Sequence, residues 1–419
     1  MTTLPLLTNS RLKAFRRCAR LHFYSYELGY RPVEDAEALR FGTLIHLGLE
    51  AWWQALLPVD DLQAACERRY NARGGADGFF DDLETAIFEG RSLDASLLAV
   101  AGCTDPFEKV RAEEMLHGYH LRWQSAGLVP IAVEVEFTAP LVNPETGAPS
   151  RTFQLAGKLD VLARDVATGR VVIIEHKSSS EDITPGSPYW SRLRIDGQVS
   201  QYFAGARALG YEPAACIYDV LAKPFLRPAK ATPMEERKYT LAKFKACPYC
   251  KKKGGAESAP HDVAITEDPG GPRAKCEPDP EDPAKRRVCT DPGGKLYANL
   301  RAEDETPEEY RARLVEVIAY DPIKFFARGE VVRLEQDELE HAGDTWQIAR
   351  DIRDAELGGE RLVHLGKNAA AAHPRNPDAC VMWGRTCSFF AVCTGAATLD
   401  DARFQKLDNV HQELAQSAA

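Results

Sequence analysis

Apolar residues recur at helical spacing over residues 8–29. There Leu12, Phe15 and Leu21 follow a Thr8-Asn9-Ser10 run able to cap a helix start. A second helix is predicted over 36–56, entered through Phe41-Gly42-Thr43 and continuing Leu44-Ile45-His46-Leu47-Gly48-Leu49-Glu50. Residues 60–125 read as mixed and mostly helical. The period then changes: Ile131–Phe137 alternates as a half-buried strand should, and Phe153–Ala163 and Arg170–Lys177 give two more strands. The last two flank Asp165-Val-Ala-Thr-Gly169, a hairpin turn. A helix over 197–209 and a strand over 214–221 follow. From Thr306 the chain is helical again, one helix opening at Pro307 and a stronger one running Glu335–Glu356. Helices, three antiparallel strands, a helix and a strand predict a mixed α/β fold.

One segment departs from this pattern. Residues 246–293 hold seven prolines between Pro260 and Pro292 and almost no apolar periodicity, so they bury too little surface to order themselves without a staple. The remaining composition is that of a globular chain: 419 residues, 44% hydrophobic and 27% charged, enough for two to three domains or one large domain with insertions. No apolar run approaches the roughly 18 residues of a membrane span. The first ten residues lack the basic and apolar regions of a secretory signal, so a cytoplasmic location is expected, whether bacterial or, for a phage-encoded chain, that of the host. A net charge of −10 does not advertise a nucleic-acid binder, but Lys223–Lys253 reverses it locally with ten Lys or Arg against Glu235 and Glu236. No phosphate-binding loop ending in Lys-Ser or Lys-Thr is present, which argues against an ATP-driven motor in this chain.

Gly157-Lys158-Leu159-Asp160 is followed after 14 residues by Glu175-His176-Lys177. On a strand Glu175 and Lys177 share a face and His176 points away, its carbonyl staying near the strand end. Asp160, from the adjacent strand, can approach Glu175. Two carboxylates and a carbonyl suit Mg²⁺ or Mn²⁺, and Lys177 beside them can orient or deprotonate an attacking water. Upstream stands His46, downstream Gln198-Val-Ser-Gln-Tyr202, with Gln198 and Tyr202 on one helical face.

These residues resemble the PD-(D/E)XK nuclease superfamily, in particular its RecB-like branch, which includes CRISPR-associated exonucleases and phage-encoded relatives. The resemblance runs over about residues 8–225 plus the cysteine-bearing C-terminus. It implies a restriction-endonuclease-like core with a mixed central sheet flanked by helices and a Cys-rich insertion. It also implies metal held by Asp160, Glu175, His46 and the His176 carbonyl, water activation by Lys177, and Gln198 and Tyr202 bracing the site or contacting nucleic acid. Glu134 or Glu136 on the preceding strand is either a further carboxylate of the site or half of a structural salt bridge. The implied activity is metal-dependent hydrolysis of DNA, most simply as an exonuclease in repair, recombination or phage DNA metabolism. The alternatives are a non-cleaving nucleic-acid-binding subunit of a helicase–nuclease complex and a nuclease acting on RNA. The expected partners are DNA and a helicase, recombinase or annealing protein.

Eleven cysteines in such a chain read as metal ligands or buried thiols, the latter being the default for Cys66, Cys103 and Cys216. RecB-like nucleases often carry a 4Fe–4S cluster held by one cysteine before the core and three after it. By that resemblance Cys18, Cys380, Cys387 and Cys393 are its ligands, although the six-residue spacing from Cys380 to Cys387 exceeds the family's usual two. Cys247-Pro-Tyr-Cys250 resembles a zinc knuckle, with Cys276 and Cys289 completing the site or His261 replacing one of them. The predicted organisation is a nuclease domain over 1–245 and 294–400, a zinc-binding insertion over 246–293, and a tail over 401–419.

Overall fold

The computed structural model describes residues 4–33, 37–57, 90–233, 263–264, 273–278, 286–290, 299–382 and 384–414. Its contacts divide the chain into two units, one of residues 1–224 with 317–419 and one of residues 225–316.

The first unit is built on a mixed sheet. In chain order it begins with strand β1 (Leu6–Leu7), helices α1 (Asn9–Arg17) and α2 (Ala19–His22), a π-helical turn (Phe23–Glu27) and strand β2 (Tyr30–Pro32). Helices α3 (Glu37–Gln54), α4 (Arg91–Val100) and α5 (Pro106–Trp123) come next. Strands β3 (Leu128–Val142), β4 (Pro149–Asp165) and β5 (Val171–Ser179) follow, then α6 (Pro188–Leu193), α7 (Gly197–Ala208) and β6 (Pro213–Ala222). The second unit has a three-stranded sheet of β7 (Val263–Ala264), β8 (Arg273–Pro278) and β9 (Arg286–Thr290). Helix α8 (Pro307–Tyr320) precedes β10 (Phe326–Val331), α9 (Glu335–His364), the short strands β11 (Val381–Met382) and β12 (Arg385–Thr386), and β13 (Phe404–Lys406).

Strand β4 organises the main sheet. One edge pairs with β3 in an antiparallel ladder. The other edge is shared: β1 pairs in parallel at Gln154–Leu155, and β5 pairs antiparallel at Val161–Arg164. Strand β6 then adds in parallel to β5, and β10 antiparallel to β6. Strands β1 and β10 have no counterpart in the periodicity, because a two-residue strand and a Gly-Glu-containing strand are too short or too polar to announce themselves.

Each face of the sheet buries an apolar layer. Phe41, Ile45, Leu49, Trp52 and Trp53 of α3 pack with Met115, Leu116 and Tyr119 of α5 against Val161, Val172 and Ile174. On the opposite face, Val199, Tyr202, Phe203 and Ala206 of α7 pack against Phe137, Leu159, Leu162 and Ile173. Full burial of each such side chain stabilises by roughly 1.5–3 kcal/mol. Two glycines set how close α7 comes: a Cβ on Gly157 of β4 or on Gly205 of α7 would stand 2.6 Å from the ring of Phe137. The ring therefore fills the space that both side chains would need, and α7 rests directly on the sheet.

The helix expected over 8–29 is broken. Cys18 is extended, with φ −168° and ψ 119°, although its N–H still bonds the Ala14 carbonyl. The apolar spacing continues across the break, which is why periodicity misses it. The segment expected to be a tail contributes Phe404–Lys406, which pairs antiparallel with Tyr30–Pro32. No helix among the described residues is long and apolar enough to cross a membrane.

Candidate active site

The shared edge of β4 creates the site. Pairing with β5 ends at Val161 and Ile174, so the next residue on each strand, Asp160 and Glu175, sits where the strands part. The freed backbone N–H of His176 is taken by Asp160 Oδ2 at 2.8 Å. Higher on the same edge, Gln201 Nε2 donates to the carbonyls of Leu7 (3.0 Å) and Ala156 (2.8 Å), tying β1 to β4 across the remaining gap.

Glu175 is 2% exposed. Its Oε1 accepts from Lys177 Nζ and from Gln198 Nε2 at 2.7 Å, while its Oε2 is buried without a hydrogen-bond partner among the described residues. Gln198 holds three groups at once: besides Glu175, its Nε2 donates to Tyr202 Oη at 2.6 Å and its Oε1 accepts from Lys177 Nζ at 3.3 Å. Asp196 fixes the start of α7 by accepting the Gln198 N–H at 3.0 Å. From the other face α3 brings His46 Nδ1 to 3.8 Å from Asp160 Oδ2. The His176 ring turns to that second face, 3.7 Å from the buried Asp219, among Trp53, Tyr119 and His46.

The electrostatics are those of crowded anions. Burial, then Glu175 and Glu134, push the Asp160 carboxyl well above its usual range. Burial opposes the charge on Lys177, but Glu175 and Asp160 outweigh it and raise the ammonium above its ordinary value. Desolvation, then His176 and the lysines around it, lower His46 to about 3, leaving a neutral imidazole with ligand capacity. A buried carboxylate oxygen with no donor, beside a second carboxylate disfavoured as an anion, fits a hard divalent cation. Among the described residues no three His, Cys, Asp or Glu side chains stand close enough to hold a single ion; an ammonium occupies one oxygen of Glu175 instead.

Sequence reasoning left Glu134 and Glu136 undecided, and here they differ. Glu136 is exposed, whereas Glu134 pairs with Lys158 and is one of the charges acting on Asp160. Two groups had no signal at all. Lys158 sits inside the Gly157–Asp160 stretch, where nothing in the sequence singles it out from other strand lysines. The Asp219 cluster, in which Tyr119 Oη donates at 2.7 Å and Arg328 Nη2 at 2.8 Å, is assembled from α5, β6 and β10.

The extended backbone at Cys18 aims its thiol at the C-terminal segment. Cys18, Cys380, Cys387 and Cys393 line one small cleft with Arg17, Leu21 and Phe389. The long Cys380–Cys387 spacing has a structural reason: β11 and β12 form a hairpin between them, and the Cys387 N–H returns to the Cys380 carbonyl at 2.8 Å. The six residues loop out and bring the two cysteines back to one place. Burial raises the Cys393 thiol, and the other three cysteines add to that shift. Of the second set, Cys247, Cys250 and the alternative ligand His261 lie outside the described residues. Cys276 falls at the register break of β8, and Cys289 on β9 opposite Ala274.

Comparison with known proteins gives one assignment. The sequence model of the PD-(D/E)XK nuclease superfamily matches residues 7–394, a span that holds every residue of the site just described. No curated protein matches the chain.

Proposed function

The chain belongs to the PD-(D/E)XK nuclease superfamily, whose members are metal-dependent nucleases, and we propose from this that it hydrolyses phosphodiester bonds in DNA, as an exonuclease of the RecB-like type. The observation that carries this reading is the buried Oε2 of Glu175, without a hydrogen-bond partner among the described residues, beside Asp160 and with Lys177 on the same face. Asp160, Glu175, His46 and the His176 carbonyl would hold Mg²⁺ or Mn²⁺, which when bound acidifies water and polarises the phosphate. The protein's own contribution begins with Lys177. Kept as an ammonium, it orients the attacking water and neutralises charge that grows on the phosphate oxygens. Gln198 fixes that ammonium and the Glu175 carboxylate together, and Tyr202 fixes Gln198. A helicase, recombinase or annealing protein is proposed as the partner, in keeping with a sequence that holds no phosphate loop of its own.

The four cysteines of the cleft are proposed as ligands of a 4Fe–4S cluster. The thiolates of such a cluster bind four different irons and stand farther apart than those around one tetrahedral zinc. The reading is supported by the four cysteines lining one cleft from the two ends of the nuclease unit. The insertion around Cys247, Cys250, Cys276 and Cys289 is proposed to bind zinc, supported by the poverty of apolar residues there.

The test is degradation of end-labelled single- and double-stranded DNA, with matched RNA in competition, in Mg²⁺, Mn²⁺ or EDTA. The protein is purified without air, with iron, sulfide and zinc measured. Metal-dependent cutting that Asp160→Ala abolishes is the expected result. A folded wild type that binds DNA without cutting it would replace this reading with the non-cleaving subunit.

A further inference from the structure

We propose that Lys158 is a second substrate-binding cation of this site, contacting a phosphate of the nucleic acid, and that Glu134 is the residue that positions it. The inference rests on the nuclease reading and adds to it two residues outside the Asp160, Glu175 and Lys177 set.

The starting point is an irregularity shared by two strands. Val133 of β3 is paired with Val161 of β4, and both pack with the α3–α5 layer. Two residues along, Val135 is paired with Leu159, and both pack with the α7 layer. In a regular strand residues i and i+2 share a face. Both strands therefore change faces across one position, and the residues at that position are Glu134 and Asp160.

On β3 the change falls at Glu134, which stands at φ 51° in the left-handed region. It is the only non-glycine residue at positive φ among the described residues, and it lies between two β-branched valines. A side chain there costs on the order of 1–2 kcal/mol, and such a cost persists where the surroundings impose it.

What the strain accomplishes is legible in the pairing of Lys158. The register sets Lys158 directly across from Glu136, so an unstrained ladder already offers a carboxylate for a surface ion pair. Lys158 does not use it. Its ammonium pairs with Glu134 and its side chain is 17% exposed, while Glu136 stays in solvent. A pair needed only for stability would form without the distorted backbone. Instead the lysine, on the strand that carries Asp160 two positions further along, pairs with the left-handed residue itself.

Chemistry supplies the reason. The pocket holds Glu134, Asp160 and Glu175, which together repel a phosphodiester. Lys177 is committed to Glu175 and Gln198. Lys158 enters from β4 and pairs with Glu134, so exchanging that carboxylate for a phosphate oxygen leaves the rest of the site intact.

The experiment measures binding of a labelled DNA oligonucleotide in EDTA between about 50 and 200 mM salt, together with cleavage kinetics in Mg²⁺. Lys158→Met is expected to reduce the slope of log K against log salt by about 0.7–0.9, the value of one lost phosphate contact. It is also expected to lower kcat/KM by about ten- to a hundredfold. Lys158→Arg should keep the slope, and Lys158→Gln serves if the methionine variant misfolds. Glu134→Gly relieves the left-handed residue; it should match or exceed the wild type in Tm while losing kcat. An unchanged slope with kcat/KM within about twofold of wild type in Lys158→Met overturns the inference. Asp160→Ala, run in parallel, should bind DNA with the wild-type slope without cutting it. A folded wild type that neither binds nor cuts DNA overturns the nuclease reading and this inference with it.

Discussion

Asp160 shows how a functional residue is carried at the expense of stability. It is buried, faces Glu175 and Glu134, and is offset by the nearby Lys177 and the His176 N–H. Removing its charge should relieve that repulsion. Asp160→Asn is expected to abolish cleavage and, in EDTA, to unfold about 1 kcal/mol later than wild type. Added Mg²⁺ should stabilise the wild type, by about 2.7 kcal/mol at a hundred times its Kd, and leave the variant unmoved. Thermal unfolding with and without Mg²⁺ reads both; a variant stabilised equally by Mg²⁺ would show that Asp160 is no ligand. At this scale the sequence is informative where strand alternation holds and silent where it fails. Glu175, His176 and Lys177 alternate as a strand dictates, and their faces follow from counting. Glu134 cannot be told from Glu136 by counting, because its left-handed backbone breaks the alternation on which counting depends.

Elements hold the site through contacts that local patterns encode unevenly. The spacing over 197–209 gives α7 and puts Gln198 and Tyr202 on one face, and Gly157 and Gly205 then let that helix rest on the sheet around Phe137. The N-terminal helix is the opposite case: its break at Cys18 is imposed by a partner more than 350 positions away, which no window of sequence contains. The turn after α2 is held by a buried relay. Arg11 Nε donates to His22 Nε2 at 3.0 Å, His22 Nδ1 lies 3.3 Å from Glu27, and His373 Nε2 lies 3.4 Å from the other oxygen of that carboxylate. Burial, then Arg11, lower His22 to about 3, and burial lowers His373 as well. Folding therefore excludes protons that the unfolded chain takes up below about pH 6.5. Stability is complete above that pH and falls with acidification, by up to about 1.4 kcal/mol per unit for each histidine. Glu27, raised by burial, works in the opposite direction: the folded chain protonates it first, which offsets part of the loss as the pH falls toward the ordinary glutamate value. Denaturant titrations at pH 7 and 5.5 should show the decline, and His22→Gln should flatten it. An equal decline in that variant would remove His22 from the relay.

For the whole molecule, the mixed α/β class was legible in the order of periodic segments. The closure of the fold by its own ends was not. Phe404 stacks on Phe389 with centroids 5.2 Å apart, β13 pairs with β2, Arg31 donates to the Val410 carbonyl at 2.9 Å, and Thr8 donates to Glu413. Removing residues 401–419 should therefore lower Tm by several degrees while the truncated protein, assayed cold, still cuts DNA. An unchanged Tm would mean that these contacts add nothing to the folded state.

That closure also has a consequence in time. Arg20 donates to the His373 carbonyl across 353 positions of chain, and at about 5–20 residues per second the ribosome needs roughly 20–70 s to make that stretch. Until then Phe23 and Tyr24, buried in the finished protein among Ala370 and Phe389, have nothing to cover them. These helices are made long before the segment that seats them. Slower growth at low temperature, or a chaperone that shields the nascent N-terminus, should raise the yield of soluble protein more than any change to the sheet.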